Sequence, residues 1–128
     1  MTAPGCHHTS DEQQVREAIA AVVAAAQVGD ARAVVASIED DFAGNNGVLD
    51  RSGLRNLVRV QALRQSSIGV HTGAITIATR GSRIVANFGV SLTAGGRVIP
   101  DQLSVYQVET AWRKDSGAWR CYNATWKR

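Results

Sequence analysis

The sequence predicts an α+β fold, with three N-terminal helices packed on a strongly curved, mainly antiparallel sheet. One change of rhythm and one cluster predict it. Apolar residues recur at the helical period up to about residue 65, and alternate with period two after Ser66-Ser67. All three tryptophans, Trp112, Trp119 and Trp126, and both tyrosines, Tyr106 and Tyr122, fall in the final stretch. There two strand-like runs flank Lys114-Asp115-Ser116-Gly117, which reads as a hairpin turn. A small domain that gathers its large rings in one hairpin builds its core on that hairpin.

The first helix starts at Ser10, whose spacing to Gln13 fits a capping box, and Asp11 and Glu12 complement its dipole. Val15, Ile19, Val22, Val23 and Ala26 make one apolar stripe, and Gly29 ends the helix. Asp30 caps a shorter helix from Ala31 to about Ile38, with Val34, Val35 and Ile38 turned inward. Glu39, Asp40 and Asp41 then read as a solvated helix-end run; contiguous acids do not supply the spaced oxygens of a calcium loop. Gly44-Asn45-Asn46-Gly47 is a turn. Asp50 caps a third helix, Arg51 to about Gln65, expected to bury Leu54, Leu57, Val58 and Leu63. Arg51, Arg55 and Arg59 repeat every four residues; the face is either solvated or meets an anionic ligand or membrane headgroup.

In the second half Ile75 and Ile77 are expected to share a strand face with His71, and Arg80-Gly81-Ser82 to turn the chain. Ile84, Ala86, Phe88, Val90 and Leu92 form the cleanest alternation. A turn at Ala94-Gly95-Gly96 and a strand edge at Pro100 precede the hairpin. A three-residue loop with a bulge at Gly117 would gather Tyr106, Trp112, Tyr122 and Trp126 on one face. A four-residue loop would instead join Trp112 and Trp119. The glycine favours the first.

The chain's 128 residues, 45% of them hydrophobic, suffice for one domain with a sizeable core. Its net charge of +3 rests on arginines scattered along the sequence, so no nucleic-acid partner is expected. The apolar run at Ile19–Ala26 is far short of the ~20 residues that span a bilayer. Cys121 alternates inside the last strand and reads as a small buried residue. Residues 1–9 are expected to be a disordered leader and 10–128 the domain. His7 and His8 lack a third ligand, so no metal and no cofactor is expected. Cys6, following a small residue and preceding a polar stretch, is similar to the lipidated cysteine of a bacterial lipoprotein, although the usual upstream apolar segment is not in the sequence. The alternative is a frayed terminus with a free thiol. The expected location is the periplasmic side of the envelope, or the cytoplasm if Met1 is the true start.

Four segments carry a resemblance: the alanine-rich first helix ending at Gly29-Asp30, Asp41-Phe42, Thr110-Ala-Trp112-Arg113, and Gly117-Ala-Trp119-Arg120 through Trp126. Over residues 10–127 the chain resembles the nuclear transport factor 2-like superfamily, and more narrowly a group of proteobacterial proteins many of which follow a lipoprotein signal. The resemblance implies a cone-like sheet whose mouth holds a small apolar or amphipathic ligand, and a homodimer formed through the sheet. It implies Phe42, Phe88, Tyr106, Trp112, Tyr122 and Trp126 as pocket candidates.

Enzymes of that superfamily need a carboxylate base with oxyanion donors, or paired histidines, in an apolar pocket. Asp41 and His71 are the only candidates, to be set beside Tyr106 or Tyr122, and they do not make a complete constellation. The reading is therefore a non-enzymatic ligand-binding or interaction domain of the envelope. The alternative is an isomerase, dehydratase or cyclase.

Overall fold

The computed structural model describes residues 10–63, 68–94, 97–98 and 105–127. In chain order the elements are α1 (Asp11–Gln27), α2 (Ala31–Val35), β1 (Ile38–Gly44), β2 (Leu49–Asp50), α3 (Arg51–Leu63) and β3 (Ile68–Thr72). They continue with β4 (Thr76–Arg80), β5 (Arg83–Ala94), β6 (Arg97–Val98), β7 (Val105–Asp115) and β8 (Ala118–Lys127). One curved sheet runs in the order β2-β1-β8-β7-β5-β3, with β4 and β6 also paired to β5. The predicted α+β class holds: helices pack on the inner face of a sheet that is antiparallel apart from β1 with β8.

The capping chemistry read from the sequence is realised. Ser10 Oγ accepts from Gln13 N at 3.1 Å, Asp30 Oδ1 from Ala33 N at 3.1 Å and Asp50 Oδ1 from Gly53 N at 2.7 Å. Gly29 ends α1 with φ 72°, and a Cβ there would lie 2.8 Å from that of Ala62, so α3 crosses close to this corner.

Several expectations are corrected. The second helix stops at Val35, and Ile38 opens β1 instead of closing a helix. The competing partner is β8: Cys121 N donates to Ser37 O at 2.8 Å, and Ile38 pairs with Cys121 in parallel. The acid run Glu39-Asp40-Asp41 is accordingly strand, and Glu39 is buried rather than solvated.

On α3 only Val58 is buried, while Leu57 and Leu63 are 52% and 81% exposed. The helix turns its Arg51 side toward α2: Arg51 donates to Val35 O and Ile38 O, each at 3.1 Å, where those carbonyls emerge from the end of α2 and the start of β1. Of the arginine stripe, Arg59 alone is exposed.

His71 does not share a face with Ile77, because Gly73–Ile75 interrupt the alternation between β3 and β4. His71 pairs with Ser91 on the outer face, and Ile77 with the buried Ala86 on the inner one. The expectations for Gln65, Ala94-Gly95-Gly96 and Pro100 fall wholly or partly outside the described residues, as do those for Cys6, His7 and His8.

The terminal hairpin has a two-residue loop, Ser116 and Gly117, both with positive φ (54° and 84°), between the paired Asp115 and Ala118. Positive φ at both positions matches the twist of a tight hairpin, which the expected three-residue loop does not require. The bulge lies farther along, where Tyr122 is an extra residue between the Ala111↔Asn123 and Trp112↔Cys121 pairs. That insertion shifts the parity of β8. Trp119 and Cys121 before it, and Ala124 and Trp126 after it, therefore all face inward with Trp112.

Candidate functional site

Inward-facing residues of β5, β7 and β8 meet α1, α3 and β1 around a cavity of ≈ 450 Å³. β5 contributes Phe88, Val90 and Leu92; β7 contributes Tyr106, Val108, Thr110 and Trp112; β8 contributes Cys121, Ala124 and Trp126. Ile19, Val22 and Val23 of α1, Leu54 and Leu57 of α3, Ile38 and Phe42 of β1, and Leu49 complete the wall. Among the described residues the lining contains no Asp, Glu, Lys, Arg or His. A volume of this size lies in the range of small-molecule sites.

The cavity has a direction. Trp112, Cys121, Ile38, Phe42 and Ile19 are buried and form the floor, whereas Leu92, Tyr106 and Trp126 are half-buried and Leu57 is open to solvent at the mouth. Along β7 the wall runs from Trp112 to Tyr106, about 20 Å at the usual strand rise. Gly44 makes room for the mouth: a Cβ there would lie 2.8 Å from the Trp126 ring.

The polar atoms of the deep wall are spent on the protein itself. Thr110 Oγ1 accepts from Trp112 Nε1 at 2.8 Å and donates to Ala86 O at 3.4 Å. The Cys121 thiol donates to Asn123 O at 3.3 Å, and burial pushes its pKa up to about 12. At neutral pH the floor therefore carries no charge.

Five of the sequence-predicted pocket residues, Phe42, Phe88, Tyr106, Trp112 and Trp126, come together here. Tyr122 does not. The bulge puts it on the outer face, where the guanidiniums of Arg83 and Arg113 lie 5.1 and 5.0 Å from its ring centre. The two catalytic candidates are also outside the cavity and apart from each other. Asp41 accepts from Arg113 Nη2 through both oxygens, at 2.9 and 3.0 Å, and His71 is exposed on β3. Thr110 was missed by sequence reasoning, although its spacing of two from Trp112 was the signal that it shares that residue's face. Among the described residues no group of three or more His, Cys, Asp or Glu is placed to hold a metal ion.

The outer face holds a row that the sequence conceals. Arg80 pairs with Arg83, Arg83 with Arg113, and Arg113 with Arg120, so four arginines stand side by side across β4, β5, β7 and β8. Like charges directly opposite destabilise a sheet. Here β1 offsets part of the repulsion: Arg113 is bound by Asp41 and by Glu39 at 3.1 Å, and these carboxylates raise its pKa.

No protein-family model matches the sequence, and no curated protein matches it. Solved structures do match. The chain is similar to the Aln2 protein of a Streptomyces species (TM-score 0.78, 16% identity, 93% of this chain and 92% of that one). It is similar to an NTF2-like protein with a cystatin-like fold from Novosphingobium aromaticivorans (TM-score 0.73, 20% identity, 91% and 80%). A candidate dehydratase from the NTF2-like family of Streptomyces avermitilis is a third (TM-score 0.74, 11% identity, 91% and 94%). The fold is nuclear transport factor 2-like. In this NTF2-like fold the cavity lies between the helices and the concave face of the sheet, and the arginine row lies on the opposite face.

Proposed function

We propose that this chain is a binding domain for a small, uncharged or amphipathic ligand held in the cavity between α1, α3 and the concave sheet. The observation that carries the reading is the wall itself: ≈ 450 Å³ bounded mainly by aliphatic and aromatic side chains, with no carboxylate, imidazole or amine among its described residues. An apolar hollow of this kind favours apolar surface removed from water, about 25 cal/mol per Å². Titration with an environment-sensitive apolar dye tests it. The dye should bind and quench tryptophan emission through Trp112 and Trp126, and a Val108→Glu variant that retains its fold should lose the binding. Equal binding by that variant would end the proposal.

The proposed setting is the bacterial envelope, with a lipid tether on Cys6; the support is the sequence around that cysteine. Mass spectrometry of the full-length protein from its host should find a diacylglyceryl adduct on Cys6, and an unmodified thiol in the cytosol would remove the tether. The second reading, an isomerase- or dehydratase-type enzyme, has the Streptomyces avermitilis neighbour in its favour. The placement of Asp41 and His71 on the outer face counts against their serving as its acid and base.

A further inference from the structure

Resting on the binding role proposed above, we infer that the ligand enters hydrocarbon end first, and that the floor of the cavity selects against any polar group at that leading end. The floor is the place where a bound molecule would be most thoroughly removed from water, since Trp112 and Cys121 are each 2% exposed. A hydroxyl or carbonyl buried there must find a partner or forfeit its hydrogen bonds to water.

Among the described residues, every side-chain hydrogen-bond donor at that depth is already engaged. The indole N–H of Trp112 is given to Thr110, the Thr110 hydroxyl proton is given to Ala86 O, and the Cys121 thiol is given to Asn123 O. The Thr110 and Trp112 contacts close on each other, so the few polar atoms of the deep wall leave it apolar in what it presents. Polar groups of the ligand therefore stay at the mouth, beside the half-buried Tyr106 and the solvent-exposed Leu57. The size fits this class. A dry engineered cavity of ~150 Å³ holds a benzene ring, and this one is about three times larger. The ligand class is thus a single amphiphile, with a chain or small ring system at one end and a polar group at the other.

Competition of n-decanol and its α,ω-diol against the apolar dye tests this on the full chain. The two differ by one terminal hydroxyl, which must either reach the floor or hold the chain out of it. The alcohol should bind about ten- to a hundredfold more tightly than the diol. Two substitutions reopen the closed network. Trp112→Phe frees the acceptor side of Thr110, and Thr110→Val frees the Trp112 indole N–H as a donor. Each should narrow the gap between the two probes at least about fivefold in protein whose near-ultraviolet dichroism shows it folded; if one variant does not fold, the other carries the test. Wild-type affinities within about twofold of each other, or a gap unchanged in the folded variants, would overturn the leading-end rule while leaving the cavity reading intact. Failure of both probes to displace the dye would overturn the two together.

Discussion

Cys121 shows how far one position can depart from its ordinary chemistry. Its thiol, usually near 9.0, is carried to about 12 chiefly by burial. Between those values the unfolded chain loses the proton while the folded chain keeps it. The contribution is therefore whole below about pH 9 and is lost as pH rises toward 12. Denaturant melts at about pH 8 and about pH 10.5 should show a fall in stability that is smaller in a Cys121→Ala variant; parallel slopes would contradict the assignment. A thiol reagent at neutral pH should likewise reach Cys121 only after unfolding. The Thr110–Trp112 bond belongs to this scale too. Thr110→Val leaves a buried indole N–H without its acceptor and should cost about 1–3 kcal/mol in a chemical melt.

Elements were legible where local chemistry decides and misread where a distant strand competes. Ser10, Asp30 and Asp50 were each recognisable as caps because the capping bond spans three residues and needs nothing else. The end of α2 was not, because β8, some eighty residues away, takes up Ser37 and Ile38 as a parallel neighbour. The hairpin was visible as a hairpin, but its register depended on a bulge at Tyr122 that no local residue preference announces. Two substitutions test these element-level constraints. Gly29→Ala must adopt a positive φ and meet Ala62, and should lower stability by at least about 1–2 kcal/mol. Gly44→Ala pushes against the Trp126 ring and should cost about 1–3 kcal/mol while shifting tryptophan emission. Emission unchanged from wild type would mean that Trp126 does not need that space.

At the scale of the whole molecule the arginines change meaning. They are scattered along the sequence, yet cross-strand register brings Arg80, Arg83, Arg113 and Arg120 into one row. The row is tied unevenly. Arg113 joins β7 to Glu39 and Asp41 of β1, whereas Arg80 has no hydrogen-bond or ion-pair partner among the described residues. Arg113→Met should therefore lower the melting temperature clearly, because it strands the buried Glu39 carboxylate, while Arg80→Met should leave it unchanged or raise it. Thermal melts of the two variants decide this, and equal effects would mean that the tie to β1 carries little stability.

The sequence by itself determined the fold class, the helix caps and the alternation of β5, since these follow from backbone periodicity and contacts within a few residues. The tertiary structure alone decided which alternating face became the cavity. A strand slipped by one residue, or a bulge that inserts one, moves every following side chain to the other side of the sheet. That is why Tyr122 leaves the pocket set while Trp112 and Trp126 remain in it, and why Asp41, adjacent to the cavity residue Phe42, faces the opposite way.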